Sequence, residues 1–113
     1  MSSYAPKRGD VVWLSLNPQA GHEQAGRRPV VVLSRTRYNR RTGMAIVCPI
    51  TSRVKGFPFE VALPIGLPVH GVVLSDQAKS IDWQARGAEY LCVVTDRVLK
   101  QIVQRVRALI EVA

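Results

Sequence analysis

Apolar positions along the chain change their spacing once. Up to Val94 they come in short runs bounded by Gly, Pro, Asn and Asp; after Thr95 they recur as Val98, Leu99, Ile102, Val103, Val106, Leu109 and Ile110. The first pattern predicts short strands, and the second is one face of an amphipathic helix. Strands are expected at residues 11–16, from Pro29 through the run Val30-Val31-Val32-Leu33, and at 44–50, 57–63, 71–75, 78–83 and 90–94. Pro29 opens its strand, where a missing N–H costs least, and it pushes Arg28 toward extended backbone. Residues 35–43 suit a helical turn or loop, and Pro64, Gly66 and Pro68 mark a turn-rich connection. The helix is expected at 96–110, with Thr95 as N-cap and Asp96 at the positive end of its dipole. Strands followed by one closing helix predict a mainly β chain, a small curled sheet or barrel flanked by the helix.

Between the first two strands lies a polar loop, residues 17–28, longer than a simple hairpin needs. Its second half, Gly21-His22-Glu23-Gln24-Ala25-Gly26-Arg27-Arg28, crowds an imidazole, a carboxylate, an amide and two guanidinium groups into eight residues. Such density of titratable and anion-binding groups beside a buried strand marks a functional loop.

The length of 113 residues suits a single domain spanning 1–113, with one modest core. No apolar run reaches the roughly 20 residues of a membrane span, and residues 1–8, a loose basic lead-in, have no apolar signal core. Cys48 and Cys92 stand far apart in apolar surroundings, which predicts free buried thiols and a reducing, cytoplasmic compartment. Charge changes the picture more. The net charge is +8, and residues 24–59 contain eight basic residues and no acidic one. The rest of the chain carries eight bases and eight acids, so the whole net charge belongs to that segment. Two readings stay open at this point: a face for a polyanion (nucleic acid or an acidic protein tail) and a solvated basic face.

Several segments together carry a family resemblance. They are Arg8-Gly9-Asp10-Val11-Val12-Trp13, Gly21-His22-Glu23-Gln24-Ala25-Gly26-Arg27-Arg28-Pro29, Tyr38-Asn39, Pro49-Ile50-Thr51-Ser52, Lys55-Gly56-Phe57-Pro58-Phe59-Glu60-Val61 and Asp76-Gln77-Ala78-Lys79-Ser80-Ile81-Asp82-Trp83. In this order the chain resembles the MazF/PemK family, toxins of type II toxin–antitoxin systems that act as mRNA interferases. The resemblance implies an SH3-like small β-barrel with a C-terminal helix, a homodimer, and sequence-selective cleavage of single-stranded RNA that inhibits translation and growth. It also implies a MazE/PemI-like antitoxin whose acidic C-terminal segment covers the active groove, with DNA reached only through the antitoxin complex. No metal and no other cofactor is implied, because RNA can be cut by its own 2′-hydroxyl, leaving a 2′,3′-cyclic phosphate and a 5′-hydroxyl.

That chemistry needs a base near the 2′-hydroxyl, an acid near the leaving 5′-oxygen and cationic donors on the phosphoryl oxygens. Arg28, directly before the proline, matches the family's functional arginine; a guanidinium holds two phosphate oxygens at once but is a poor general base. Thr51 matches the functional threonine. His22 matches a histidine of the PemK branch, where it is implicated in catalysis, and is either general base or a base contact. Asp76 matches an aspartate of that branch, but Leu74 stands where the branch has an arginine, so Asp76 is a candidate acid–base group or a carboxylate that fixes backbone. Glu23 and Gln24 can read base edges or orient Arg28, and Glu23 can pair with Arg27 or Arg28. Arg27, Asn39, Ser52, Lys55, Gln77 and Lys79 complete the expected RNA contacts. Arg35, Arg37, Arg40 and Arg41 suit phosphate tracking or solvated charge. Trp13 and Trp83 suit core, dimer seam or base stacking, and His70 a structural role. Two other classes compete: a gyrase-binding toxin of the CcdB type, whose Trp-Gly-Ile ending is not seen in Ile110-Glu111-Val112-Ala113, and a non-catalytic RNA-binding small barrel.

Overall fold

The computed structural model describes residues 4–17 and 21–111. Residues 1–3 of the expected lead-in and 18–20 of the expected loop lie outside the described residues.

Strand β1 (Asp10–Ser15) pairs antiparallel with β2 (Arg27–Val32), from Val11↔Val31 to Ser15↔Arg27. Helix α1 (Thr36–Thr42) then turns the chain into β3 (Met44–Thr51), the longest strand and the centre of the sheet. One edge of β3 pairs with β2. Its other edge is shared: the first half takes β6 (Lys79–Asp82) and the last two residues take β5 (Val72–Leu74). Strand β4 (Glu60–Ala62) pairs with β5, and β7 (Glu89–Val93) with β1. The main path runs β4-β5-β3-β2-β1-β7. This is a curled antiparallel sheet, barrel-like but not closed by strand pairing, with the C-terminal helix α2 (Asp96–Ile110) against it.

Alternation within the strands builds two cores. On one side Val31, Cys48, Ile50, Val61 and Val73 meet Val98, Leu99 and Ile102 of α2. On the other, Val30 and Val32 join Val12, Leu14, Ala45, Val47, Ile81 and Trp83. Burying each aliphatic side chain contributes roughly 1.5–3 kcal/mol, and Val98, Leu99 and Ile102, with Val106 partly buried beside them, hold α2, while Leu109 and Ile110 at its end are exposed. Thr95 caps that helix as expected, its Oγ1 accepting from Val98 N at 3.3 Å.

Three sequence expectations change. The lead-in is not loose over its described part: Ala5 is buried, and Asp10 Oδ2 accepts from Tyr4 OH at 2.8 Å and Lys7 N at 2.9 Å. Partial burial first, and then the bond to the Asp10 carboxylate, push the Tyr4 hydroxyl well above its ordinary pKa. The fourth strand begins only at Glu60, because Phe57–Phe59 fold into a turn closed by Glu60 N donating to Phe57 O at 3.1 Å. Strand β2 begins at Arg27, two residues before Pro29, so both loop arginines stand on a strand. Cys48 is buried and Cys92 half-buried, both free thiols. Burial first, then the Asp76 charge, pushes the Cys48 thiol up to about 12, so it behaves as a core residue.

Candidate active site

The strand ends put the polar loop beside the last residues of β3. Loop residues 21–26 are anchored at their base by Leu16 N donating to Gly26 O (2.8 Å) and Gly26 N donating to Asn17 Oδ1 (3.0 Å). From across the sheet, Gln77 stitches them: its Oε1 accepts from Gln24 N at 3.1 Å and its Nε2 donates to His22 O at 3.5 Å. Gln77 belongs to a 3-10 turn, Ser75–Gln77, that also carries Asp76.

These elements enclose a groove of about 530 Å³, lined by His22, Glu23, Gln24, Arg28, Thr51, Lys55, Asp76 and Gln77 together with Arg53, Phe57, Phe59, Glu60 and Leu74. Residues from three separate stretches of sequence, 21–28, 51–60 and 74–77, thus meet at one site. The β2–β3 ladder runs from Val32↔Val47 to Val30↔Pro49, and Arg28 and Thr51 each lie two residues beyond its last pair, at the same end of the two strands. Arg28 is half-buried and donates from Nε to Ala25 O at 2.7 Å. That bond aims the guanidinium and leaves its Nη edge for a ligand. Arg28 has no ion-pair partner among the described residues. Thr51 is buried, and its Oγ1 accepts from Arg53 N at 3.2 Å, so the hydroxyl proton is available to donate outward.

Behind Thr51 the packing is very tight. Gly71 has φ +112, and a Cβ built there would lie 2.0 Å from Thr51 O and 2.9 Å from Ser52 Cα. Only glycine fits the space and the backbone conformation.

Glu60 sets the far wall. Its carboxylate accepts from Gly56 N at 3.0 Å and from Lys55 N at 3.3 Å. It folds residues 53–57 into a loop that brings Arg53, Lys55 and Phe57 to the groove, and Phe57 stacks on Phe59 with centroids 5.3 Å apart. Sequence reasoning did not single out Arg53, Phe57, Phe59 or Glu60 as site residues. Glu60 left one signal: it is the first acid after the acid-free interval of residues 24–59.

The charges are partly committed. Glu23 lies 3.7 Å from Lys79 Nζ, and Glu60 is held by backbone N–H groups. The Asp76 carboxyl is raised above the ordinary carboxylate range, mostly by burial, with the Glu60 charge adding and its own backbone N–H opposing. His22 is exposed at the mouth.

Other expected contacts fall elsewhere. Arg27, next to Arg28 on the strand, turns the opposite way, as neighbours on a strand do, and donates to Gly87 O (3.0 Å) and Glu89 Oε1 (2.5 Å). Ser52 is exposed but does not line the groove. Lys79 lines a smaller side pocket with Glu23, Gln24, Asp76 and Gln77. Asn39 requires a correction: an RNA contact was expected, but it is completely buried and consumed by the fold. Its Nδ2 donates to Pro6 O (2.8 Å) and Ser34 O (3.0 Å), its Oδ1 accepts from Ser34 Oγ, and its main-chain O accepts from Trp83 Nε1 (2.9 Å). Trp83 is accordingly a core residue, whereas Trp13 is 37% exposed. Among the described residues no cluster of three His, Cys, Asp or Glu side chains is arranged to hold a metal.

A curled antiparallel sheet with a flanking C-terminal helix and a polar groove lined by guanidinium, hydroxyl and carboxyl groups defines a small barrel-like protein. Residues 7–110 match the model of the PemK-like, MazF-like toxins of type II toxin–antitoxin systems, and the chain belongs to this family. It is 46% identical over 110 residues to the endoribonuclease toxin MazF of Escherichia coli K12, covering 97% of this chain and 98% of that one. It is 35% identical to the Escherichia coli endoribonuclease PemK, covering 92% and 81%. Crystal structures of MazF from Deinococcus radiodurans and of a MazE–MazF complex from the same organism superpose with TM-scores of 0.92 and 0.89, at 50% and 49% identity. The first covers 95% of this chain and 97% of its own, the second 98% and 100%.

Proposed function

We propose that the protein is the toxin endoribonuclease of a type II toxin–antitoxin pair and cuts single-stranded RNA in the groove between the 21–28 loop and the end of β3. The observation that carries this reading is the convergence of His22, Arg28, Thr51 and Asp76 on one groove, in a chain 46% identical to an endoribonuclease toxin over nearly its full length. The groove is open to a splayed strand, as single-stranded substrates require.

In this reading the substrate's 2′-oxygen attacks the adjacent phosphorus and expels the 5′-oxygen, leaving a 2′,3′-cyclic phosphate and a 5′-hydroxyl. Arg28 presents its free Nη edge to the phosphoryl oxygens, whose negative charge grows in the transition state. Thr51 donates its hydroxyl proton to one of the same oxygens. His22 takes the 2′-hydroxyl proton. Asp76, which holds its proton to a higher pH than an ordinary aspartate, gives that proton to the leaving 5′-oxygen. Arg53, Lys55 and the Phe57–Phe59 pair flank this centre, giving phosphate contacts and an aromatic surface for bases. Glu23, Gln24 and Gln77 shape the loop that reads the sequence. No step needs a metal or cofactor.

The active species is a cytoplasmic homodimer. Its regulator is a MazE/PemI-like antitoxin whose acidic C-terminal segment competes with RNA for the groove, and DNA is met only through that complex. No described helix is long and apolar enough to cross a membrane. A gyrase binder or a passive RNA-binding barrel leaves the aimed Arg28 and Thr51 without a task. The purified protein, incubated with a long RNA in EDTA, is expected to cut at a few short motifs and leave cyclic phosphate ends. Intact RNA after incubation with folded protein would overturn the reading.

A further inference from the structure

The basic segment does not form one face. Its charges divide between two ends of the β2–β3 pair. Arg28, Arg53 and Lys55 are at the groove. Arg35, Arg37, Arg40 and Arg41 are all exposed on α1 and its cap, where β2 ends and β3 begins. Strand β3 has eight residues, so the two clusters are separated by roughly 25 Å.

The α1 arginines are not there for the helix. Arg35 sits at the N-cap, where it offers no acceptor and makes no capping bond, and no acid stands in the first turn. Arg35 and Arg37 place positive charge at the positive end of the helix dipole, which is unfavourable. Arg37, Arg40 and Arg41 follow i, i+3, i+4 spacing and so crowd like charges onto one face. None of the four has an ion-pair partner among the described residues. Asp82, brought near by its pairing with Met44, uses Oδ1 to accept from Ala85 N. Only Arg40 and Arg41, in the last turn, suit the dipole. Tyr38 stands exposed among them. Uncompensated guanidinium groups beside an exposed aromatic ring are the composition of a surface for single-stranded nucleic acid.

We propose that the exposed face of α1, with Arg35, Arg37, Arg40, Arg41 and Tyr38, binds the sugar–phosphate backbone of substrate RNA that runs beyond the groove. The proposal rests on the ribonuclease reading and adds a second contact, available only to RNA long enough to span both ends of the sheet. Arginine forks grip phosphates without reading bases, so the surface adds affinity and leaves the cleavage motif unchanged.

The test compares two substrates for the wild-type chain and a fourfold variant, Arg35→Gln, Arg37→Gln, Arg40→Gln and Arg41→Gln. One substrate is a transcript, and the other is an oligonucleotide of the cleavage motif plus one base on each side. The variant is expected to keep wild-type kcat/KM on the oligonucleotide and to lose at least tenfold on the transcript at low salt, through KM. The slope of log(kcat/KM) against log salt for the transcript should become shallower by roughly 2–3. Equal losses on both substrates, or none on the transcript, would overturn the proposal. So would unchanged transcript cleavage with weakened binding of an acidic antitoxin peptide, because the surface would then serve a protein. A wild-type chain that cuts neither substrate would refute the ribonuclease reading itself.

Discussion

Two polar clusters stand at opposite ends of β2 and β3, and they are built on opposite principles. Around Asn39 every polar group is spent: amide, carbonyl and hydroxyl bond one another and the backbone, with Trp83 closing the set. Around Arg28 the bonds orient side chains but leave their far ends unspent, as with the Nη edge of Arg28 and the proton of Thr51. A saturated cluster holds a fold, and a cluster with open donors awaits a ligand.

That contrast is broken most strongly at Arg28. Arg28→Ala should lower cleavage at least ~10³-fold, equivalent to about 4 kcal/mol of transition-state stabilisation, while thermal unfolding stays within a few degrees of wild type. A comparable loss of stability would make Arg28 structural. Asn39→Ala should do the reverse. Stranding buried partners costs about 3 kcal/mol, lowering Tm by roughly 10 °C, with little change in kcat for the fraction that remains folded; calorimetry and assays below the transition separate the two effects. Glu60→Ala tests the intermediate case, a saturated carboxylate that serves the groove. Loss of its backbone bonds should raise KM for RNA several-fold, about 1 kcal/mol, with kcat nearly constant, and Glu60→Gln should recover part of it by keeping an acceptor oxygen.

The smallest expected change is a gain in stability. The folded state raises the Asp76 carboxyl, so the unfolded chain gives up this proton first, and stability falls as pH rises from the ordinary carboxylate range through the raised value. Asp76→Asn removes that cost. Its melting temperature should exceed wild type at about pH 7, even as cleavage falls, and match it near pH 3, where both states are protonated. No difference at pH 7 would mean that Asp76 is not under strain.

The fold was legible where local pattern and tertiary role agree. The stripe of α2, the cap at Thr95 and the apolar runs of β1 and β3 appear in the sequence with nearly their final bounds. The candidate residues His22, Arg28, Thr51 and Asp76 were grouped by the family resemblance and not by local pattern, because only the sheet and the Gln77 stitch bring them to one groove over long range. What stayed hidden was direction and partnership. Arg27 and Arg28 look alike in sequence, yet strand alternation sends one to Glu89 and the other to the groove. Asn39 looks like a helix-surface amide, and only its distant partners Pro6 and Trp83 reveal it as interior. Phe57 and Phe59 alternate like a strand, but the Glu60 carboxylate binds the preceding backbone and the chain turns there instead.

Gly71 carries a consequence for how such a toxin loses its activity. It lies twenty positions from Thr51 in sequence and lines none of the groove, yet any side chain there would have to displace the Thr51 carbonyl. Among cells that survive forced expression of the protein, lesions at Gly71 should recur beside those at Arg28. They would mark a second route to inactivation, in which the groove keeps its chemical groups and loses their alignment.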